Sequence, residues 1–311
     1  MTNPKFAMLD GKVVAWDDAT VHVSSVAFKY GSAVFEGIRA YWNTNEEELF
    51  VFQLDEHLLR LGFSQKFMRF SEPIGLDGLR EGVLELLRAN RFKQNVHITI
   101  TAFISGGGLM TATGPVSFSA IAAPRPPIDS VAKGCSVQTS AWRRTPDTSA
   151  PTRVKCNANY QNGRLASLQA AADGYDTALM LNQAGKVSEG PAMCFFMVRD
   201  GVLVTPSRTS DILESITRST LINLAQEMSI PIEERSVDRS ELVAADEAFF
   251  CGTAWEVTPI ATLDRLPVGR GDVGPVTAAL GARLMAIASG STADYPEWRT
   301  AVYGPVEPLL R

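Results

Sequence analysis

Lys155 lies in PTRVKCNANY, residues 151 to 160, among small polar neighbours, after a turn-rich stretch and before a helix start. A lysine amine attacks only when unprotonated. An ordinary one titrates near ~10.4, so it must be desolvated or set near positive charge to react. Small neighbours and the N-terminal dipole of the following helix would both disfavour an ammonium there. Glu189 supplies a carboxylate in the turn VSEG, ahead of an apolar strand. Arg60, in HLLR, offers a guanidinium suited to a forked oxygen group. Ile216 and Thr217 open a helix behind Ser215, where backbone N–H groups and the dipole attract an anion. Thr253 follows Gly252 in CGTA, and the glycine permits a close backbone approach. Each residue also has a plainer reading. Lys155 would be a solvated surface amine, Glu189 a turn residue facing water, Arg60 the outer side of an amphipathic helix, and Tyr160 an aromatic in the core.

The elements that must carry these groups follow from periodicity. FAMLDGKVVAW reads as a hairpin around its Asp-Gly turn. Gly31 and Gly37 interrupt an aromatic-rich strand region, and Asp55 is the expected N-cap of the helix that carries His57 and Arg60. Leu79, Val83, Leu86 and Leu87 recur at helical spacing. NVHITITAFI alternates with period two, placing Val96, Ile98, Ile100, Ala102 and Ile104 on one face and His97 on the other. VSFSAIAA is the expected neighbouring strand, and three prolines at 124 to 127 mark a linker. Beyond it, strands are expected in GCSVQTSAW, DTALML, AMCFFMV, VLVTP, EAFFCGT and EVTPIATL. Helices follow across NYQNGRLASLQAAADG, stopped by Gly174, across SITRSTLINLAQEM, capped by Ser215, and from Pro275. The expected organisation is an α/β protein with a small N-terminal domain (1–123), a linker (124–135) and a larger domain (136–311) carrying Lys155.

Bulk properties narrow the chemistry. The chain has 311 residues, 45% hydrophobic residues and a formal net charge of -5, which describes a folded protein with no reason to bind nucleic acid or a membrane. The N-terminal segment has no secretory apolar core, and no apolar run is long enough to span a bilayer. The widely spaced Cys135, Cys156, Cys194 and Cys251 read as reduced thiols of a cytoplasmic protein. His22, His57 and His97 lack metal-ligand spacing, so no metal is expected. His57, three residues before Arg60, reads as a structural hydrogen-bonder, His97 receives no role, and Gly106–Gly108 reads as a loop beside the site. No Walker loop, nucleophile elbow or dinucleotide fingerprint is present.

KCNANY, KVSEGPAMCFF, ILESITRSTLINLA and FCGTAWEVTPI, with YGSAVFEGIRAY and LDEHLLRL, resemble in order and spacing the class IV aminotransferases, the branched-chain amino acid aminotransferases above all. The resemblance covers nearly the whole chain. It implies the fold-type IV architecture, with two α/β domains and an active site in the cleft between them, and a homodimer. It also implies pyridoxal 5′-phosphate as cofactor, which needs an amine for its aldehyde, an acid near its ring nitrogen and a cradle for its phosphate. Lys155 matches the lysine that holds the aldehyde, and Glu189 the partner of the ring nitrogen. Arg60, Ile216, Thr217 and Thr253 match phosphate holders, and Tyr160 the tyrosine on the phenolic oxygen. Tyr30, Phe35, Gly37, Val96, Ile98 and Ala254 fall at substrate-pocket positions. The implied activity is ping-pong amino transfer between a hydrophobic, branched-chain-like amino acid and a 2-oxo acid.

Three departures bear on the substrate. Cys194 replaces an asparagine of the pattern, and Ser215 a glycine. On strand NVHITI, Val96 and Ile98 stand at the expected places of a tyrosine and an arginine that reach a substrate carboxylate. An apolar pair there favours hydrophobic amino acids, or amines with no carboxylate, with Arg39, Arg143 and Arg144 as possible substitute charges. An amine transaminase using pyruvate as acceptor is therefore an alternative, ahead of an aminodeoxychorismate-lyase-like activity or a non-catalytic binding protein on the same scaffold.

Overall fold

The computed structural model describes residues 4–126 and 129–304. Pro127 and Ile128, in the expected linker, lie outside the described residues. Pro124 of that linker ends the strand Val116–Pro124, and Asp129–Lys133 form a short helix. Backbone contacts divide the described chain into two units, one of 4–126, 154–158 and 285–304, the other of 129–153 and 159–284. No helix among the described residues is long and apolar enough to cross a membrane.

Among the described residues, the first unit holds a seven-stranded sheet. Its order is Arg299–Ala301, Glu48–Phe52, Ala33–Asn43, Val96–Ile104, Val116–Pro124, Phe6–Leu9 and Lys12–Ala15, with every neighbouring pair antiparallel. The expected hairpin is present, and Asp10 and Gly11 take φ of 49° and 75° in its turn. Both values are left-handed, as a hairpin turn matched to strand twist requires. Helices Leu54–Phe67 and Leu76–Asn90 supply Leu58, Leu61, Leu79, Val83 and Leu87 to a core shared with Val34, Ile38, Val96, Ile98 and Ile100.

Two local expectations change. The segment before Gly31 is not a strand: Val26–Tyr30 form a helix whose cap, Ser25, accepts from the Phe28 N–H, and Gly31 closes it at φ 70°. Strand Ala33–Asn43 then runs through Gly37 without a break. Asp55 does not cap its helix. Gln53 occupies that position at φ 52°, donating its own N–H to the Trp298 carbonyl, and Asp55 falls in the first turn against Arg80 at 3.2 Å.

The segment bearing Lys155 belongs to this first unit by its contacts. The Phe35 N–H donates to the Lys155 carbonyl at 3.0 Å, Val34 and Cys156 form an isolated antiparallel bridge, and Val154 and Cys156 are buried in the first core. Residues 299–301 join the same unit as an edge strand beside Glu48–Phe52. The prolines at 124–127 carry no trace of these pairings, because chain distant in sequence makes them.

In the second unit, the described residues form an eight-stranded sheet. Ile232–Arg235, Val202–Pro206, Cys194–Arg199, Glu247–Gly252, Glu256–Leu263, Cys135–Thr139 and Thr177–Leu179 run across it, with Leu266–Pro267 paired to Glu256–Leu263. Phe195, Met197, Phe250 and Ile260 lie in its core. Helix Tyr160–Ala172 ends before Gly174, which is left-handed at φ 77°, and helix Pro275–Ala288 starts at its proline, both as expected. Gly163 lets the first of these helices pack tightly, since a Cβ there would stand 2.3 Å from the Pro191 carbonyl oxygen.

Ile98 is fully buried in the first core. Ile98→Ala is expected to cost about 2–5 kcal/mol in urea unfolding, from lost transfer energy and the cavity left behind. A cost below about 1 kcal/mol would contradict its placement.

Candidate functional site

Antiparallel register sorts the residues of strands Ala33–Asn43 and Val96–Ile104 onto two faces. Glu36 pairs with Ile100, Ile38 with Ile98 and Ala40 with Val96, and these face the helices and the core. Phe35 pairs with Thr101, Gly37 with Thr99 and Arg39 with His97, on the other side. Lys155 is half-buried, and its Nζ lies over the Phe35 ring, 4.7 Å from the centroid. The amine and two expected pocket residues, Phe35 and Gly37, therefore meet on the second face.

Val96 and Ile98 do not. Both are fully buried in the core, so their assignment to the substrate pocket is corrected. The physical reason is the two-residue period of a strand: a register displaced by one residue exchanges the faces. His97 and Thr99 are the residues beside Gly37. A Cβ on Gly37 would come within 3.1 Å of His97 Cε1 and 3.3 Å of Nε2, so the imidazole occupies the space that the glycine leaves. Burial, then the charges of Arg39 and Arg125, push the His97 pKa down to about 4, and its Nδ1 is buried without a hydrogen-bond partner. A neutral imidazole thus stands where sequence reasoning placed an apolar side chain. Buried in the core, Val96 and Ile98 offer no apolar surface that would favour carboxylate-free amines.

Arg60 sits on helix Leu54–Phe67 with its Nε 2.8 Å from Glu36 Oε1 and a terminal nitrogen 2.6 Å from Oε2. His57 Nδ1 lies 2.7 Å from the same Oε2, which fits its expected structural role. Burial alone would raise the Glu36 carboxyl, but Arg60 and His57 together bring it down to about 2. Burial also lowers the His57 pKa against the pull of Glu36. The imidazole is therefore neutral, and Nδ1–H donates to the carboxylate. Nothing in the sequence flagged Glu36. The signal lies in the burial of a carboxylate on a strand face that is otherwise apolar, which calls for a buried cation or donor beside it.

In the second unit, Glu189 is buried among donors of three kinds: the Arg144 guanidinium at 2.6 Å on Oε1, and the Leu213 N–H at 3.2 Å and Cys194 Sγ at 3.7 Å on Oε2. Arg144 is itself buried, donating from Nε to the Asp211 carbonyl. A buried ion pair needs such extra partners to offset desolvation. Arg144, a candidate for a substrate carboxylate, is engaged with Glu189. Arg143 is exposed, and Arg39 is buried, donating to the Arg125 carbonyl and stacked near Tyr41.

Ile216 and Thr217 open helix Ile216–Glu227, capped as expected by the Ser215 hydroxyl, which accepts from the Arg218 N–H. Arg218 is buried and holds Pro206 and Glu234. Thr253 and Ala254 occupy the turn between strands Glu247–Gly252 and Glu256–Leu263, closed by the Trp255 N–H on the Gly252 carbonyl at 3.0 Å. Tyr160 is half-buried at the start of its helix. Tyr30 is exposed at the end of helix Val26–Tyr30, with the Lys29 ammonium 5.0 Å from its ring.

The sequence profile described as amino-transferase class IV matches residues 33–263. A probable branched-chain-amino-acid aminotransferase of Aquifex aeolicus is 36% identical over 303 residues, covering 96% of this chain and 97% of the relative. A branched-chain-amino-acid aminotransferase of Pseudomonas aeruginosa is 37% identical over 298 residues, covering 94% and 96%. Among solved structures, the branched-chain amino acid aminotransferase of Thermobaculum terrenum, in its PLP-bound form, matches with a TM-score of 0.92 and 39% identity over 98% of this chain and 100% of that one. The Thermoproteus uzoniensis branched-chain aminotransferase, solved with norvaline, gives a TM-score of 0.92 at 40% identity, over 96% and 100%. With a profile match across most of its length and relatives matching nearly end to end, the chain belongs to the class IV aminotransferases.

Proposed function

We propose that this protein is a pyridoxal 5′-phosphate-dependent aminotransferase that moves an amino group between a hydrophobic, branched-chain-like amino acid and a 2-oxo acid. The observation that carries the reading is the Lys155 amine, held over the Phe35 ring on the polar face of the first sheet. The relatives named as branched-chain aminotransferases support the substrate class.

The donor set fits the cofactor. Lys155 offers an amine for the aldehyde, and Glu189 a buried carboxylate for the ring nitrogen. Arg60 and the first-turn N–H groups of Ile216 and Thr217 suit a phosphate, with Thr253 in a loop beside a glycine. Tyr160 would donate to the phenolic oxygen. When bound, the cofactor supplies a protonated pyridine ring that draws off the negative charge developing at the substrate α-carbon. Glu189, paired with Arg144 at 2.6 Å, would hold the proton on the ring nitrogen. Lys155 Nζ would hold the cofactor's aldehyde and, when free, would accept the substrate's α-proton and act as the acid that gives it back. Tyr30, Phe35 and Gly37 would line the substrate pocket. The two half-reactions use the same residues alternately, as a ping-pong scheme requires.

We also read the enzyme as a cytoplasmic homodimer. Leu59, Phe63 and Phe67 are exposed at four-residue intervals along one helix, an apolar stripe that suits a protein partner.

Lys155→Ala is expected to lower turnover by at least ~1000-fold while leaving the thermal melt of the apo-protein within a few degrees of wild type. A variant with wild-type turnover would refute the assignment. With the holoenzyme, leucine is expected to serve as donor far better than 1-phenylethylamine, tested with pyruvate and with 2-oxoglutarate as acceptors. A preference for the carboxylate-free amine would overturn the substrate class.

A further inference from the structure

We propose that Glu36 is a positioning residue that fixes the Arg60 guanidinium for the cofactor's phosphate. The inference rests on the reading of Arg60 as a phosphate holder.

Glu36 is fully buried on the strand face that otherwise presents Ile38, Ala40, Val96, Ile98 and Ile100 to the core. A carboxylate there is costly, and an apolar side chain of similar volume would serve folding as well or better. Its contacts explain its presence. Nε and one terminal nitrogen of Arg60 lie at 2.8 and 2.6 Å from its two oxygens, a forked pair that fixes the plane of the guanidinium. His57, neutral, donates to Oε2 at 2.7 Å and stops the carboxylate from turning. The side chain of Arg60 keeps 12% of its surface exposed while that of Glu36 has none, so the cation lies outermost in the pair. The forked pair holds the guanidinium through Nε and one terminal nitrogen, on the side that faces the core. Lys155 belongs to the same unit as this cluster.

A residue that acts through Arg60 on phosphate must distinguish pyridoxal 5′-phosphate from pyridoxal, which lacks the phosphate. A residue needed only for folding would affect both alike. The test titrates apo-enzyme with each compound, following protein fluorescence, for wild type, Glu36→Gln, Arg60→Met and the double variant. The ratio of the two dissociation constants, taken on one preparation, cancels any unfolded fraction. In Glu36→Gln the affinity for pyridoxal 5′-phosphate is expected to fall about 10- to 100-fold, with pyridoxal changed less than about threefold. In the Arg60→Met background the same change is expected to cost less than about threefold, because the group it positions is gone. If Glu36→Gln is insoluble, Glu36→Asp, which keeps the charge but withdraws it by one methylene, is expected to shift the ratio in the same direction by about tenfold or less. Equal losses for both compounds, an unchanged ratio, or an undiminished effect without Arg60 would overturn the inference while leaving the enzyme's function standing. Failure of wild type to bind pyridoxal 5′-phosphate would overturn both.

Discussion

The hydrogen bond from the Phe35 amide to the Lys155 carbonyl ties the segment that bears the Lys155 amine to the sheet of the first unit. With the Val34–Cys156 bridge beside it, five residues from the middle of the chain become part of the environment built by strand Ala33–Asn43. Because side chains alternate along a strand, that attachment sets Lys155 over Phe35, on the face that Gly37 shares, and leaves Glu36 on the reverse face. One face of the strand meets the Lys155 amine and the other holds the Arg60 guanidinium.

Charge is handled in both units by the same device. Glu36 and Glu189 are buried carboxylates, each paired with an arginine and given a further donor, His57 for one and the Leu213 N–H for the other. Such pairs contribute little to stability relative to apolar packing, but they fix where each charge sits and in which direction it faces. An enzyme that must hold an anionic cofactor and keep a ring nitrogen protonated needs that kind of fixed charge, since preorganised groups cost no rearrangement during reaction. His97 extends the pattern in the neutral sense. Burial and neighbouring arginines keep it uncharged beside Gly37.

Much of the fold was legible in the sequence where local chemistry decides structure. The Asp-Gly hairpin, the Ser215 cap, the Gly174 stop and the period-two strand at 96–104 all formed as read. What failed was non-local. Periodicity divided strand Val96–Ile104 correctly into two faces, yet it could not say which face met Lys155, and a displacement of one residue put Val96 and Ile98 where His97 and Thr99 stand. The better physical rule was that the apolar half of an amphipathic strand goes to the core and the polar half is left for function. Glu36 with Arg60, and Arg144 with Glu189, were hidden because the partners are 24 and 45 residues apart in sequence. Likewise Asp55 looked like a cap by residue type, but the Gln53 backbone, held by the Trp298 carbonyl, set the helix start elsewhere.

The central claim is that the amine at position 155 is the one that carries the cofactor. Borohydride reduction of the holoenzyme, followed by digestion and peptide mass spectrometry, tests it most directly. The account predicts a single pyridoxyl-modified peptide with the added mass on Lys155. A modification on another lysine, or none in a preparation that binds the cofactor stoichiometrically, would contradict it.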